Sequence, residues 1–166
     1  MLPATHRALK CFMDFDAIIP APFGQLGLRE AHGQLAEIVF LLEPHVEKPP
    51  ATPLLKEANR QLQAYFRNPR ATFDLPLALT GTAFQQRVWR AICNIPAGST
   101  ATYGELARNI GSAPRAVGQA CGANPLPIVV PCHRILSASG RGGFMHSREE
   151  GPLSIKNWLL AHERGH

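Results

Sequence analysis

The sequence predicts an α+β protein: a small antiparallel β-sheet lobe with one helix, then a mainly α lobe containing a helix-turn-helix. Three observations predict it. Short apolar runs broken by turn residues fill the stretch before Pro49-Pro50, helical periodicity begins at Thr52, and two capping boxes open short helices beyond Thr82. The lobes are placed at 1–81 and 82–166.

The elements follow in order. Phe12, Phe15, Ile18 and Ile19 lead to Pro20-Ala21-Pro22, which reads as a break. Phe23 to Leu28 and Leu35 to Leu41 flank the turn signal His32-Gly33, so the two runs form antiparallel strands. Thr52-Pro53 starts a helix with proline at its first position; Leu55, Ala58, Leu62 and Phe66 share one face, and Asn68-Pro69 stops it. Residues 69–81 form a linker with room for one short strand.

Beyond it, Thr82-x-x-Gln85 is a capping box, and Phe84, Val88, Ala91, Ile92 and Ile95 make an amphipathic stripe. Pro96-Ala97-Gly98 breaks the chain. Thr102-x-x-Glu105 caps a helix to about Ile110, Gly111-Ser112-Ala113 turns, and Pro114 to about Cys121 forms the next helix. That last helix carries almost only small side chains, with Arg115 near its start. Small residues suit shape-driven binding through phosphates or the minor groove, and equally suit close packing in a core. They supply few groups that read bases in the major groove.

Bulk properties narrow the class. The chain has 166 residues, 45% of them hydrophobic, which suffices for a real core and excludes wholesale disorder. The formal net charge of +5 is consistent with a nucleic-acid partner, although charge alone leaves that open. Cys11, Cys93, Cys121 and Cys132 form no C-x-x-C pair, and a chain of this size does not need disulfides. No secretory leader pattern and no apolar run of membrane-spanning length occurs, so a reduced, cytoplasmic protein with no membrane partner is expected.

The chemistry centres on Cys132. Ile128-Val129-Val130 reads as a short buried strand ending in Pro131-Cys132-His133-Arg134. His133 and Arg134 can favour a thiolate, and Pro131 stiffens the approach. Neighbours on a regular strand point to opposite faces, so His133 reaches Cys132 only if the chain turns there or a water bridges them. On the last helix Ile155, Trp158, Leu159 and His162 form a stripe that Glu163 continues. A carboxylate there sits at the negative end of the helix dipole and needs a partner, for which His133 is a candidate. Spacing alone favours an exposed Glu163 on a fraying last turn.

Together these residues resemble the O6-alkylguanine-DNA alkyltransferases, the methylated-DNA–protein-cysteine methyltransferases. The resemblance rests on Phe84-x-x-x-Val88-Trp89, Thr102-Tyr103-Gly104-x-Leu106-Ala107, Arg115-Ala116-Val117-Gly118, Asn124-Pro125-x-Pro127 through Arg134, and Lys156-x-Trp158-Leu159-Leu160-x-His162-Glu163. It implies direct-reversal repair, with one irreversible transfer of an alkyl group from O6-alkylguanine, or O4-alkylthymine, to Cys132. It implies that His133 deprotonates Cys132 through a water, that Glu163 orients His133, and that Asn124 braces the turn. Tyr103 would crowd the target phosphate and support proton donation to the leaving guanine, and Arg115 would fill the gap left by the flipped base. Flipping is required because the O6 substituent is inaccessible within the stack.

The resemblance further implies a ribonuclease-H-like sheet lobe and a DNA-contact set of Thr102, Tyr103, Arg115, Ala116, Gly118 and Arg134. Its pocket set is Tyr103, Val130, Pro131, Ile135 and Ser147. The partner implied is double-stranded DNA containing O6-alkylguanine, bound through the minor groove by a monomer, with room for several molecules to cluster. No cofactor is needed. Some relatives hold zinc in the N-terminal lobe; Cys11 is the only cysteine in this one, so no metal is expected. The stretch 143–151 looks longer and more polar than in relatives. Two rivals have distinguishing features: a cysteine hydrolase would turn over an ester and needs an oxyanion hole, and a non-catalytic lesion-binding protein would lack the cysteine.

Overall fold

The computed structural model describes residues 14–139 and 150–165. The architecture is α+β. Strands β1 (Ala17–Ala21), β2 (Gly24–Ala31) and β3 (Gln34–Leu41) form an antiparallel sheet in the order β1-β2-β3. The expected turn at His32-Gly33 joins β2 to β3, with positive φ at both residues (52° and 75°), the geometry that matches the right-handed twist of a hairpin. The expected break at Pro20-Ala21-Pro22 falls at its last residue: the chain turns at Pro22-Phe23, while Pro20 and Ala21 stay in β1, opposite Gln25 and Gly24, because β1 is an outer strand where a residue without an N–H is tolerated.

Helix α1 (Pro53–Arg67) lies against the sheet. The Thr52 hydroxyl caps it by accepting from Leu55 N at 3.2 Å, and Asn68 ends it. The 69–81 linker makes one bridge rather than a strand: Leu35 N donates to Pro76 O, and Ala78 N to Leu35 O.

Helix α2 (Ala83–Cys93) has the full capping box of Thr82 and Gln85, and ends short of Ile95. Strand β4 (Ala101–Thr102) runs into α3 (Tyr103–Ile110), which Thr102 and Glu105 cap reciprocally. Gly111 closes α3 at φ 69°, a left-handed conformation that costs glycine little, and α4 (Pro114–Gly122) follows. Trp89 of α2 donates its indole N–H to Ala120 O at 2.8 Å, pinning α4 onto α2. A single 3₁₀ turn at Cys132–Arg134 leads into β5 (Ile135–Leu136), which pairs in parallel with β4. Helix α5 (Glu150–Glu163) ends the fold.

One hydrophobic core joins all of this. Leu26, Leu28, Leu35 and Ile38 of the sheet, Leu55, Leu62 and Tyr65 of α1, Val88, Trp89 and Ile92 of α2, and Ile155 and Leu159 of α5 belong to one buried cluster. No helix among the described residues is long and apolar enough to cross a membrane.

Candidate active site

The site begins with the turn that carries the thiol. The strand expected at 128–130 is instead a tight turn, with Ile128 at a positive φ of 75° and a lone bridge between Pro127 and Val130. Pro127 and Pro131 bracket the run and cannot donate to a ladder. Asn124 supplies what a neighbouring strand would have given. Its Nδ2 donates to Val130 O at 2.8 Å and its Oδ1 accepts from Leu126 N at 2.9 Å. The same Nδ2 lies 3.3 Å from Cys132 Sγ, so one buried amide both closes the turn and touches the Cys132 thiol.

The chain then turns again. The 3₁₀ turn removes the strand geometry that would have set Cys132 and His133 on opposite faces. The β4–β5 ladder fixes the exit: Ile135 pairs with Ala101 and Leu136 with Thr102, the residue that caps α3. The turn holding Cys132 is thereby tied to the helix whose first residue is Tyr103.

Cys132 is 4% exposed. Burial pushes its thiol up to about 11, while the Asn124 hydrogen bond and the Lys156 charge pull the other way. His133 and Arg134, which can favour a thiolate, are outweighed here: burial is the dominant influence on Cys132 and favours the protonated thiol. Lys156 stands in the last motif of the sequence, which assigns it no part in the site. It is fully buried on α5 and donates from Nζ to Ile135 O at 2.8 Å. Its position beside the Ile155 stripe was the available signal.

His133 is fully buried and lies 2.6 Å through Nε2 from Glu163 Oε1. A carboxylate only accepts, so Nε2 carries the hydrogen and donates it. The neutral ring then bears its lone pair on Nδ1, which is buried and has no hydrogen-bond partner among the described residues. Burial lowers the imidazole below its ordinary range; Glu163 opposes that, and the charges of Arg134 and Lys156 add to it.

Glu163 is not the exposed, fraying carboxylate that spacing favoured; its side chain is 1% exposed. Arg134 reaches it with two nitrogens, Nε to Oε2 at 2.9 Å and Nη2 to Oε1 at 2.8 Å. Tyr65 donates its phenol to Oε1 at 2.7 Å. Burial raises the carboxyl, but the hydrogen bonds from His133, Arg134 and Tyr65 outweigh it and hold the group well below the usual carboxylate range. These partners resolve the cost of a carboxylate at a helix C-terminus. Arg134, expected at DNA, spends its guanidinium inside the protein: besides Glu163 it donates from Nη1 to Ile95 O at 2.6 Å.

The remaining expected residues are placed as follows. Arg115 is exposed in the first turn of α4, and Ala116 and Gly118 are half-buried. A side chain added at Gly118 would meet the Tyr103 ring at 3.8 Å, so α4 and the start of α3 face each other there. Thr102 is half-buried and its hydroxyl serves the α3 cap. Val130, Pro131 and Ile135 are buried on either side of Cys132 in the chain. Ser147 and the departing stretch 143–149 lie outside the described residues.

A sealed thiol, an imidazole with one free ring nitrogen, and a carboxylate that orients it define a protein that works through a cysteine nucleophile, carried beside a pair of short helices. Comparison with known proteins makes this specific. Residues 83–165 match the family described as 6-O-methylguanine DNA methyltransferase, DNA binding domain. The chain is 42% identical to the methylated-DNA–protein-cysteine methyltransferase of Methanosarcina acetivorans, covering 87% of this chain and 94% of the relative. It is 39% identical to the constitutive enzyme of Bacillus subtilis, covering 92% and 96%. Its fold matches Mycobacterium tuberculosis OGT in complex with DNA at a TM-score of 0.73 and 41% identity, covering 89% of this chain and 91% of that one. The chain belongs to the methylated-DNA–protein-cysteine methyltransferase family.

Proposed function

We propose that this protein repairs DNA by direct reversal, moving an alkyl group from O6 of guanine, or O4 of thymine, to Cys132 once per molecule. The observation that carries the reading is the His133 ring. Its Nε2–H is committed to Glu163, so its free lone pair, on Nδ1, is the base available for the Cys132 proton, taken through one water. The imidazolium so formed is stabilised by the carboxylate it already contacts. The Cys132 sulfur then attacks the alkyl carbon, a C–S bond forms, the C–O bond breaks, and its electron pair returns to the base. A proton delivered with help from the Tyr103 hydroxyl completes the leaving guanine. Cysteine has lost a proton and gained an alkyl group; guanine has done the reverse. The thioether does not hydrolyse, so the protein acts once, and no cofactor or metal enters.

The relay needs a base brought to it. We assign α3 and α4 as a helix-turn-helix that enters the minor groove, where the small residues of α4 permit close approach and Arg115 takes the place of the flipped nucleotide. In this assignment 82–166 is the DNA-binding and acceptor lobe, and 1–81 is a ribonuclease-H-like sheet lobe that supports it. The M. tuberculosis relative crystallised with DNA supports a DNA partner. The presence of Cys132 inside an assembled relay disfavours a non-catalytic lesion binder, and a thiol kept in its reduced form fits the cytoplasm.

The test is the mass of the whole protein after incubation with duplex DNA containing O6-methylguanine. One methyl, about 14 Da, is expected on the peptide holding Cys132, as for any covalent nucleophile that retains its adduct. No added mass, or mass on Cys93 or Cys121, would sink the mechanism.

A further inference from the structure

We infer that Tyr65 is a positioning residue of the transfer reaction: its phenol, delivered by the sheet lobe's helix, shares Glu163 Oε1 with His133 and limits how strongly that carboxylate draws on the imidazole. Tyr65 lies outside the stretch 83–165 that matches the family's DNA-binding domain, and it enters the relay from nearly a hundred positions away in the chain. The inference rests on the transfer reading above.

The geometry is specific. Oε1 accepts from Tyr65 at 2.7 Å, from His133 at 2.6 Å and from Arg134 at 2.8 Å. The phenol cannot swing away. Its ring is buried between Phe73 (centroids 5.7 Å apart) and His162 (5.3 Å), and His162 Nε2 donates to the Tyr65 carbonyl at 2.7 Å. Each hydrogen bond to a carboxylate oxygen withdraws electron density and lowers its basicity. Without the phenol O–H, Glu163 becomes a better acceptor for His133, and the imidazole holds a second proton more readily. An imidazole already protonated has no lone pair on Nδ1 and cannot take the proton of Cys132.

The charged and titratable groups that act on His133 or on the carboxylate it contacts are Cys132 and Arg134 on its own turn, Lys156 and Glu163 on α5, and Tyr65 on α1, with His162 packed on the far side of Tyr65. A Tyr65→Phe substitution alters only the last of these and preserves the ring packing.

The experiment is single-turnover methyl transfer to Cys132 from O6-methylguanine DNA across pH, in four proteins: wild type, Tyr65→Phe, Glu163→Gln and the double variant. Thermal melting and NMR titration of the His133 ring nitrogens accompany it. In Tyr65→Phe the acid midpoint of the rate moves up by about half a pH unit, and the His133 titration moves with it. Both shifts vanish in the Glu163→Gln background, because a neutral amide has no charge for the phenol to temper. An unmoved midpoint, an equal loss at every pH, a shift that survives in Glu163→Gln, or a Tyr65→Phe protein that does not fold would each overturn the inference. Absence of methyl transfer in the wild type would instead overturn the transfer reading, with the His133 titration still deciding the role of Tyr65.

Discussion

The α3–α4 surface and the 124–135 turn are neighbours in the chain and treat polar groups in opposite ways. Around the turn Asn124, His133, Lys156 and Glu163 are all buried, and almost every polar atom has a partner. On α4, Arg115 and Gln119 are exposed and the helix start has no side-chain cap. One region is finished before any partner arrives; the other presents groups for a partner to engage. In the function proposed above, chemistry that depends on ångström placement is held by the core, and recognition is left at the surface, where local changes cost the fold little.

The largest effect expected from breaking this division is at the acceptor. Cys132→Ser abolishes transfer, read as no added methyl mass, and leaves duplex binding in a gel-shift assay unchanged. Next come changes in the turn's polar partners. Glu163→Gln removes the charge that orients His133 and pairs with Arg134, and should slow single-turnover transfer by about 10²- to 10⁴-fold. Asn124→Ala leaves buried Leu126 N without its acceptor and takes one of two donors from Val130 O, which keeps Cys132 N, and should lower stability by about 1–3 kcal/mol in a denaturant melt.

Surface changes act differently. Arg115→Ala should slow reaction with duplex DNA about tenfold while barely changing reaction with free O6-benzylguanine; equal losses on both would refute the distinction between surface and turn. The smallest effect is on the pH range of stability. His133 and Glu163 titrate lower in the folded protein than unfolded, so the unfolded chain binds more protons on the acid side and stability falls as pH drops through the imidazole and then the carboxylate range. Cys132 titrates higher when folded, so stability also declines as pH rises from about 9 towards about 11. Cys132→Ser should remove part of the alkaline decline in a melting series and leave the acid one.

Those same two regions differ in how far the sequence foretells them. The helices around α3 and α4 announce themselves locally: capping boxes at Thr82 and Thr102, proline at position 114 and glycine at 111 act within one turn of where they sit. The turn does not. Ile128-Val129-Val130 has the composition of a strand, and only the Asn124 side chain, together with two prolines, makes it a turn. Glu163 looked exposed because its compensation comes from Arg134 and from Tyr65, far off in the chain. Tyr65 itself sits beside the predicted stripe of α1, where an aromatic residue reads as ordinary core. The family motifs pointed to Cys132 and His133; they could not show that one of the four hydrogen bonds Glu163 accepts comes from Tyr65 on α1.

The seal over Cys132 has a consequence for the lifetime of the molecule. A reagent that is consumed by one reaction must remain unreacted until its proper target appears. Soluble electrophiles attack thiolates, and the burial that pushes the Cys132 thiol up to about 11 keeps that form scarce at neutral pH. Waiting is thus built into the same desolvation that buries the sulfur, and selectivity against stray alkylating agents in solution follows before any DNA is met. Iodoacetamide should label the exposed Cys93 well ahead of Cys132, so the order of labelling measures how well the unreacted protein keeps.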